Sequence, residues 1–252
     1  MRSHPVVVHP APSHVRAALA GSVASIAAVI ILHAGAVSAV PCIVPDNGFG
    51  TADLPPAGCG YASEGLLHVI DGLPPGSQLD TPGLIDSFFD IFYFIGGIHG
   101  GEREQFKGML HLQFSGTGAF AGYNRNLVIP LQCETHSAPR VPATPLQAFP
   151  HEMYTLQGQL PPGDPDFDLL RITGGTGFGL PSPGHTTLSQ TGGGWAVDSF
   201  FDITYRIDFI GSPGGPFAGM SGSTTATIRF ICGEPGATPA ETGTWGRLKS
   251  MY

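Results

Sequence analysis

The sequence predicts an all-β protein: two related antiparallel β-sandwich-like modules, produced by an internal duplication, behind an N-terminal signal helix. Three observations carry this expectation. The 252 residues include 37 glycines and 24 prolines but only 12% charged residues, and glycine and proline break helices while supplying turns. At 42% hydrophobic the chain is too apolar for disorder, which goes with low hydrophobicity and high charge. Finally, the hexapeptide DSFFDI occurs twice, at 86–91 and 198–203, and polar and apolar residues alternate around the second copy, the period of a half-buried strand.

Residues 1–39 read as a secretory signal. Arg2 and Arg16 give a basic start, 17–32 is apolar or small, and Val37-Ser38-Ala39 is a small-residue cleavage pattern. An uncleaved leader is instead a membrane anchor; Pro41 beside Cys42 makes a poor lipobox. The leader holds two of the 11 basic residues and none of the 19 acidic ones, so the remainder is more acidic than the net −8 of the whole chain. That charge repels phosphate backbones and anionic headgroups. Nucleic acid is therefore excluded as a partner, and a membrane is one only if the leader stays. The expected location is secreted, periplasmic or cell surface.

Residues 40–62 are expected to form a disulfide-stapled N-terminal segment. Four cysteines, Cys42, Cys59, Cys133 and Cys232, lie beyond the leader, an even number in an oxidising compartment. Cys42 and Cys59 bracket a short turn-rich loop and read as a local staple, which leaves Cys133 with Cys232. No C-x-x-C spacing suggests zinc or redox chemistry.

Residues 63–135 are the first β module and 151–233 the second. In the second copy Val197, Phe201, Ile203, Tyr205, Ile207 and Phe209 fall on one face, with Asp198, Asp202, Thr204, Arg206 and Asp208 between them. GAFAG at 118–122 answers GPFAG at 215–219, and each copy closes with a strand ending in cysteine, LVIPLQC (127–133) and ATIRFIC (226–232). Cys133 and Cys232 sit on the apolar faces of those strands. Pro130 marks its strand as an edge, because proline cannot donate to a ladder. In the first copy Phe92, Phe94 and Gly96 replace Thr204, Arg206 and Asp208. The extra stretch IHGGEREQFKGMLHLQF is expected to cover Phe92 and Phe94; left uncovered, they form a surface that meets a partner. Between the modules, 136–150 carries four prolines and reads as an extended linker. Residues 234–252 read as a flexible tail.

The segments DSFFDITYRIDFIG, SGSTTATIRF, DLLRITGGTGFGLPSPGHTTL and VIDGLPPGSQL together resemble a group of exported proteins of environmental bacteria. The resemblance spans most of the chain beyond the leader. It implies secretion and repeated β segments, and it carries over no activity and no catalytic residue.

Motifs for chemistry mostly fail. His151-Glu152 starts a zincin pattern without its second histidine. GGTGFG at 174–179 leads into Leu-Pro-Ser-Pro rather than a helix, so it reads as a β-turn and not a phosphate loop. Ser221 lacks the spacing of a nucleophile elbow. Asp164, Asp166 and Asp168 alternate on one side of an extended segment and form a candidate Ca²⁺ set, beside the plainer reading of a solvated strand entry. Asp86/Asp90 and Asp198/Asp202 stand about 13 Å apart on a strand, too far to share a metal. His99 and His111 with Glu102 and Glu104 are a candidate transition-metal set, against a default of surface histidines. The functional expectation is a non-enzymatic secreted or cell-surface structural or interaction protein of unknown molecular role, with a cell-surface or extracellular protein or glycan as the candidate partner. The alternatives are a glycan- or peptide-binding module using Phe92, Phe94 and Trp195, and a secreted hydrolase.

Overall fold

A computed structural model describes residues 42–232. The signal expected at 1–39, the first two residues of the stapled segment and the tail at 234–252 lie outside the described residues, as does Gly233. The alternating and turn-rich sequence folds into twelve strands and no α-helix among the described residues. The strands are β1 (Cys42–Val44), β2 (Tyr61–Ser63), β3 (Leu67–Val69), β4 (Leu79–Thr81), β5 (Gly83–Ile95) and β6 (Glu102–Gly116). They continue with β7 (Asn124–Ser137), β8 (Leu146–Gln159), β9 (Phe167–Gly174), β10 (Gly184–Thr191), β11 (Gly194–Gly211) and β12 (Ser221–Cys232).

All pairings between these strands are antiparallel, and they belong to one sheet. Followed in space, β5 pairs β6, β6 pairs β7, β7 pairs β8, β8 pairs β9, β9 pairs β11, β11 pairs β12, β12 pairs β2, and β2 returns to β5. The circuit therefore closes as a barrel. β9 and β10 share one position: β9 bridges one end of β8 to β11, and β10 bridges the other. A barrel of about eight strands has an interior that side chains can fill. Here Phe114, Phe167, Phe209 and Phe217 pack with Leu110, Ile129 and Leu170 in one core.

The two DSFFDI segments lie on β5 and β11, but not in two sandwiches. β7 pairs β8 across the expected linker, and β12 pairs β2 across the expected module boundary. Within 136–150, His136 and Ser137 end β7 while 146–150 begin β8. The prolines there are accommodated in the sheet: Pro150 lies opposite His185, and its carbonyl accepts from the Ala138 amide at 2.9 Å. The Phe residues of the two G-x-F-A-G turns pack against each other, Phe120 and Phe217 with ring centroids 4.8 Å apart. Pro130 sits one residue beyond the last β7–β8 pair, Leu131 with Gly158, so that half of β7 is indeed an edge.

The stretch expected to cover Phe92 and Phe94 became β6. It lies beside β5 in the sheet, not over it, because its own alternation buries Phe106, Leu110, Leu112 and Phe114 in the barrel.

Candidate functional site

β5 leaves the barrel wall halfway along its length. β2 pairs it only at Leu84 and Ile85, and from Asp86 onward its sole strand partner among the described residues is β6. Two β-bulges follow. Two residues of β5 oppose one of β6 between Asp86 and Phe89, and again between Phe89 and Phe92. Ser87 and Asp90 absorb them with φ of 55° and 51°, the left-handed region that short polar side chains tolerate best after glycine. One extra residue turns side chains to the opposite face and a second restores them. Phe88 therefore points inward, over Gly108 and edge-on to Phe106 at 5.5 Å.

Beyond the second bulge the strand is apolar on both faces and uncovered. Phe92 is 58% exposed, Phe94 42% and Ile95 99%, with Tyr93 and Phe89 near 40%. Phe92 and Phe94 share the outer face with Gln105 and Arg103 of β6, their cross-strand partners. The Arg103 guanidinium lies 4.9 Å from the Phe94 ring. Behind them Glu134 accepts from Gln105 Nε2 at 2.9 Å and from His136 Nε2 at 2.7 Å. His136 Nδ1 accepts from the Ile98 amide at 3.2 Å, which places the ring proton on Nε2. Burial alone raises a carboxyl, but these hydrogen bonds and the Arg103 charge hold Glu134 below the ordinary carboxylate range. The His136 ring stacks on Tyr154 at 4.1 Å. The result is an aromatic edge backed by a fixed polar network.

A second polar chain runs inside the barrel. Tyr61 Oη lies 3.2 Å from Ser199 Oγ, Ser199 and Thr186 hydroxyls are 2.7 Å apart, and Thr186 Oγ1 is 2.8 Å from His151 Nδ1. His151 Nε2 faces Glu104 Oε2 at 3.5 Å, and Thr135 Oγ1 donates to that oxygen at 2.6 Å. Hydroxyl, imidazole and carboxylate stand in the order of a hydrolytic triad. Yet Thr186, Ser199, His151 and Glu104 are each exposed by 1% or less. The adjoining cavity, lined by Tyr61, Phe88, Thr135, His151 and Phe201, measures about 10 Å³, room for roughly one water. These buried groups link β2, β6, β7, β8, β10 and β11 across the core. The sequence signal for the chain was Ser199, a polar residue at an inward position between Val197 and Phe201.

The wider surface pocket, about 240 Å³, lies under 139–149. Its polar side chains are engaged: Arg140 binds Glu102 and the Ala52 carbonyl, and Gln147 binds Thr51 Oγ1 and the Gly50 carbonyl.

The remaining sequence candidates fall as follows. Asp164 and Asp166 clamp the Arg125 guanidinium, with Tyr123 Oη donating to Asp166 at 2.8 Å, and Asp168 takes the Ser212 hydroxyl at 3.0 Å. Their oxygens serve an arginine and a serine. His99 meets Glu152 at 3.1 Å, His111 meets Asp86 at 3.0 Å, Glu102 meets Arg140, and Glu104 is the interior carboxylate; the fold does not bring these four together. Trp195 is a core residue, donating to Asp46 at 2.8 Å, and that bond holds Asp46 below its usual range. GGTGFG forms the expected tight turn, with Gly175 bridged to Leu180. Cys42 and Cys59 are bridged. The expected Cys133–Cys232 bridge is not formed: Cys133 is buried on β7, while the Cys232 sulfur lies within 4.8 Å of the Cys42 and Cys59 sulfurs.

No family model, curated protein or solved structure matches the chain.

Proposed function

We propose that the protein is a non-enzymatic, exported structural and interaction protein that assembles with a second copy of itself through the open edge of β5. The carrying observation is that, among the described residues, 86–95 pairs with β6 alone while Phe89, Phe92, Tyr93, Phe94 and Ile95 are exposed. An exposed apolar strand edge is a template for another strand, and the same edge on a second copy is its simplest complement. Antiparallel pairing about Tyr93 sets Phe92 opposite Phe94 of the second copy, and Phe94 opposite Phe92. Outer face then meets outer face in a four-phenylalanine cluster, and cross-strand aromatic pairs stabilise such a contact. The bulges at Ser87 and Asp90 limit the flat edge to a few residues, so the dimer is weak.

The Cys42–Cys59 disulfide is compatible with an extracellular location, and no helix among the described residues is long and apolar enough to cross a membrane. Secretion through residues 1–39, kinship with the exported bacterial group, and descent of the two DSFFDI segments from one repeat belong to the same proposal.

Sedimentation velocity across a micromolar concentration series tests the proposal. The expected result is a monomer–dimer equilibrium that the Phe92→Ser, Phe94→Ser double variant abolishes with its circular dichroism unchanged. A wild-type chain that stays monomeric throughout overturns it. A glycan is the second reading, favoured by the amide and charged groups of Gln105, Arg103 and Glu134 beside the same aromatics. A monomer that binds immobilised oligosaccharides, and loses them in the double variant, selects that reading.

A further inference from the structure

Cys42, Cys59 and Cys232 gather where three strands meet. Cys42 opens β1, Cys59 stands two residues before β2, and Cys232 closes β12 opposite Tyr61 of β2. Their three sulfurs lie within 4.8 Å of one another. Three sulfurs make one disulfide at a time, and here it joins Cys42 to Cys59, with the Cys232 sulfur close to both. Cys133 takes no part: it faces Phe106 and Leu156 across its ladders, and burial pushes its thiol far up.

Disulfides exchange when a thiolate attacks a neighbouring disulfide sulfur, at a rate set by ionisation and access. We propose that Cys232 exchanges with the Cys42–Cys59 bridge and thereby delivers a reactive thiol to Cys59. The Cys232 thiolate attacks Cys42 Sγ. The Cys42–Cys232 bond forms as the Cys42–Cys59 bond breaks, and the electron pair leaves on Cys59 as a thiolate, which takes up the proton Cys232 gave to solvent. Electrons balance within the three residues, and no outside oxidant or reductant enters.

The direction of transfer gives the exchange its consequence. Cys42 and Cys232 are buried, whereas Cys59 is partly exposed. Exchange moves the thiol outside the disulfide from a buried strand end to a surface loop. Resting on the export proposed above, a cysteine outside the intramolecular bridge is the one that pairs outside its own chain. Cys59 is thus the site for a mixed disulfide with a small thiol compound or a cysteine of another protein, while β1 stays anchored through Cys232.

Alkylation trapping tests this on the intact oxidised chain. The native protein is held with iodoacetamide at mildly alkaline pH, quenched in acid, digested with pepsin without reduction, and mapped by mass spectrometry. The expected result is alkylated Cys59 accumulating with time alongside a Cys42–Cys232 linked peptide, as the Cys42–Cys59 peptide declines. Cys232→Ser is expected to abolish Cys59 alkylation and keep the original bridge. A wild-type time course showing only Cys42–Cys59 with Cys59 unlabelled overturns the proposal. So does a Cys133–Cys232 peptide, or Cys59 labelling that persists in Cys232→Ser. The wild-type time course decides the question even if the variant folds poorly.

Discussion

β5 and β11 carry the same six residues and treat them in opposite ways. In β11 the segment is straight: Ser199, Phe201 and Ile203 face the core, and Phe200 lies outside under Arg229, whose guanidinium is 4.2 Å from its ring. In β5 the bulge at Ser87 reverses the faces, so Phe88 enters the core and Phe89 goes out. The difference lies in the neighbours. β10 and β1 flank the start of β11, and β12 and β9 flank its end. Even the short interval between β10 and β9 is held, by Asp202 and Thr204 amides donating to the Pro183 and Pro181 carbonyls. A strand zipped along both edges has no room for an extra residue; one zipped along a single edge has. Identical local sequence therefore yields a core strand in one place and an exposed, bulged edge in the other, because packing overrides β-propensity.

The largest expected effect comes from exchanging equivalent phenylalanines. Phe201 is 1% exposed and packs on Tyr61 and His151, so Phe201→Ala is expected to cost about 3–5 kcal/mol. Phe89→Ala, at the same hexapeptide position, is expected to cost less than about 1 kcal/mol. The order reverses one residue earlier: Phe88→Ala exceeds Phe200→Ala, which loses mainly the arginine contact. Urea unfolding of the four variants checks this, and equal losses at 89 and 201 break the comparison.

A smaller effect separates the acids. The Arg229 hydrogen bonds at 2.7 and 2.8 Å hold Asp202 below its usual range. Its stabilisation is therefore fully present above the ordinary carboxylate pKa and fades as pH falls through the lowered folded value. Because the pair is largely exposed, Asp202→Asn is expected to lower stability at neutral pH by under about 1 kcal/mol. Thermal unfolding of wild type and variant should converge in strong acid. Asp90→Asn, which removes an exposed partner of Lys107, should leave the melting temperature within error at neutral pH.

Much of β11 and β12 was legible because a two-sided strand shows its alternation unbroken, and Cys42 and Cys59 were close enough in sequence to declare their loop. What stayed hidden depends on contacts distant along the chain. Nothing local in DSFFDI distinguishes the bulged copy from the straight one. β6 read as a covering insertion because its partner β7 lies beyond a turn and its burial is set by barrel closure. The spacing of Asp164, Asp166 and Asp168 offered oxygens but could not reveal that Arg125 claims two of the three. Cys232 looked like a partner for Cys133 because both end apolar strands, yet closure through β2 carries it to the other pair.

The central claim is that, among the described residues, β5 from Asp86 onward is an open edge while β11 is closed on both sides. Amide hydrogen exchange, followed by mass spectrometry of peptides covering 86–95 and 198–207 in dilute protein, tests it most directly. The expected result is rapid exchange in the first segment and strong protection in the second, with protection of the first rising as protein concentration increases. Equal, concentration-independent protection of the two segments would contradict it.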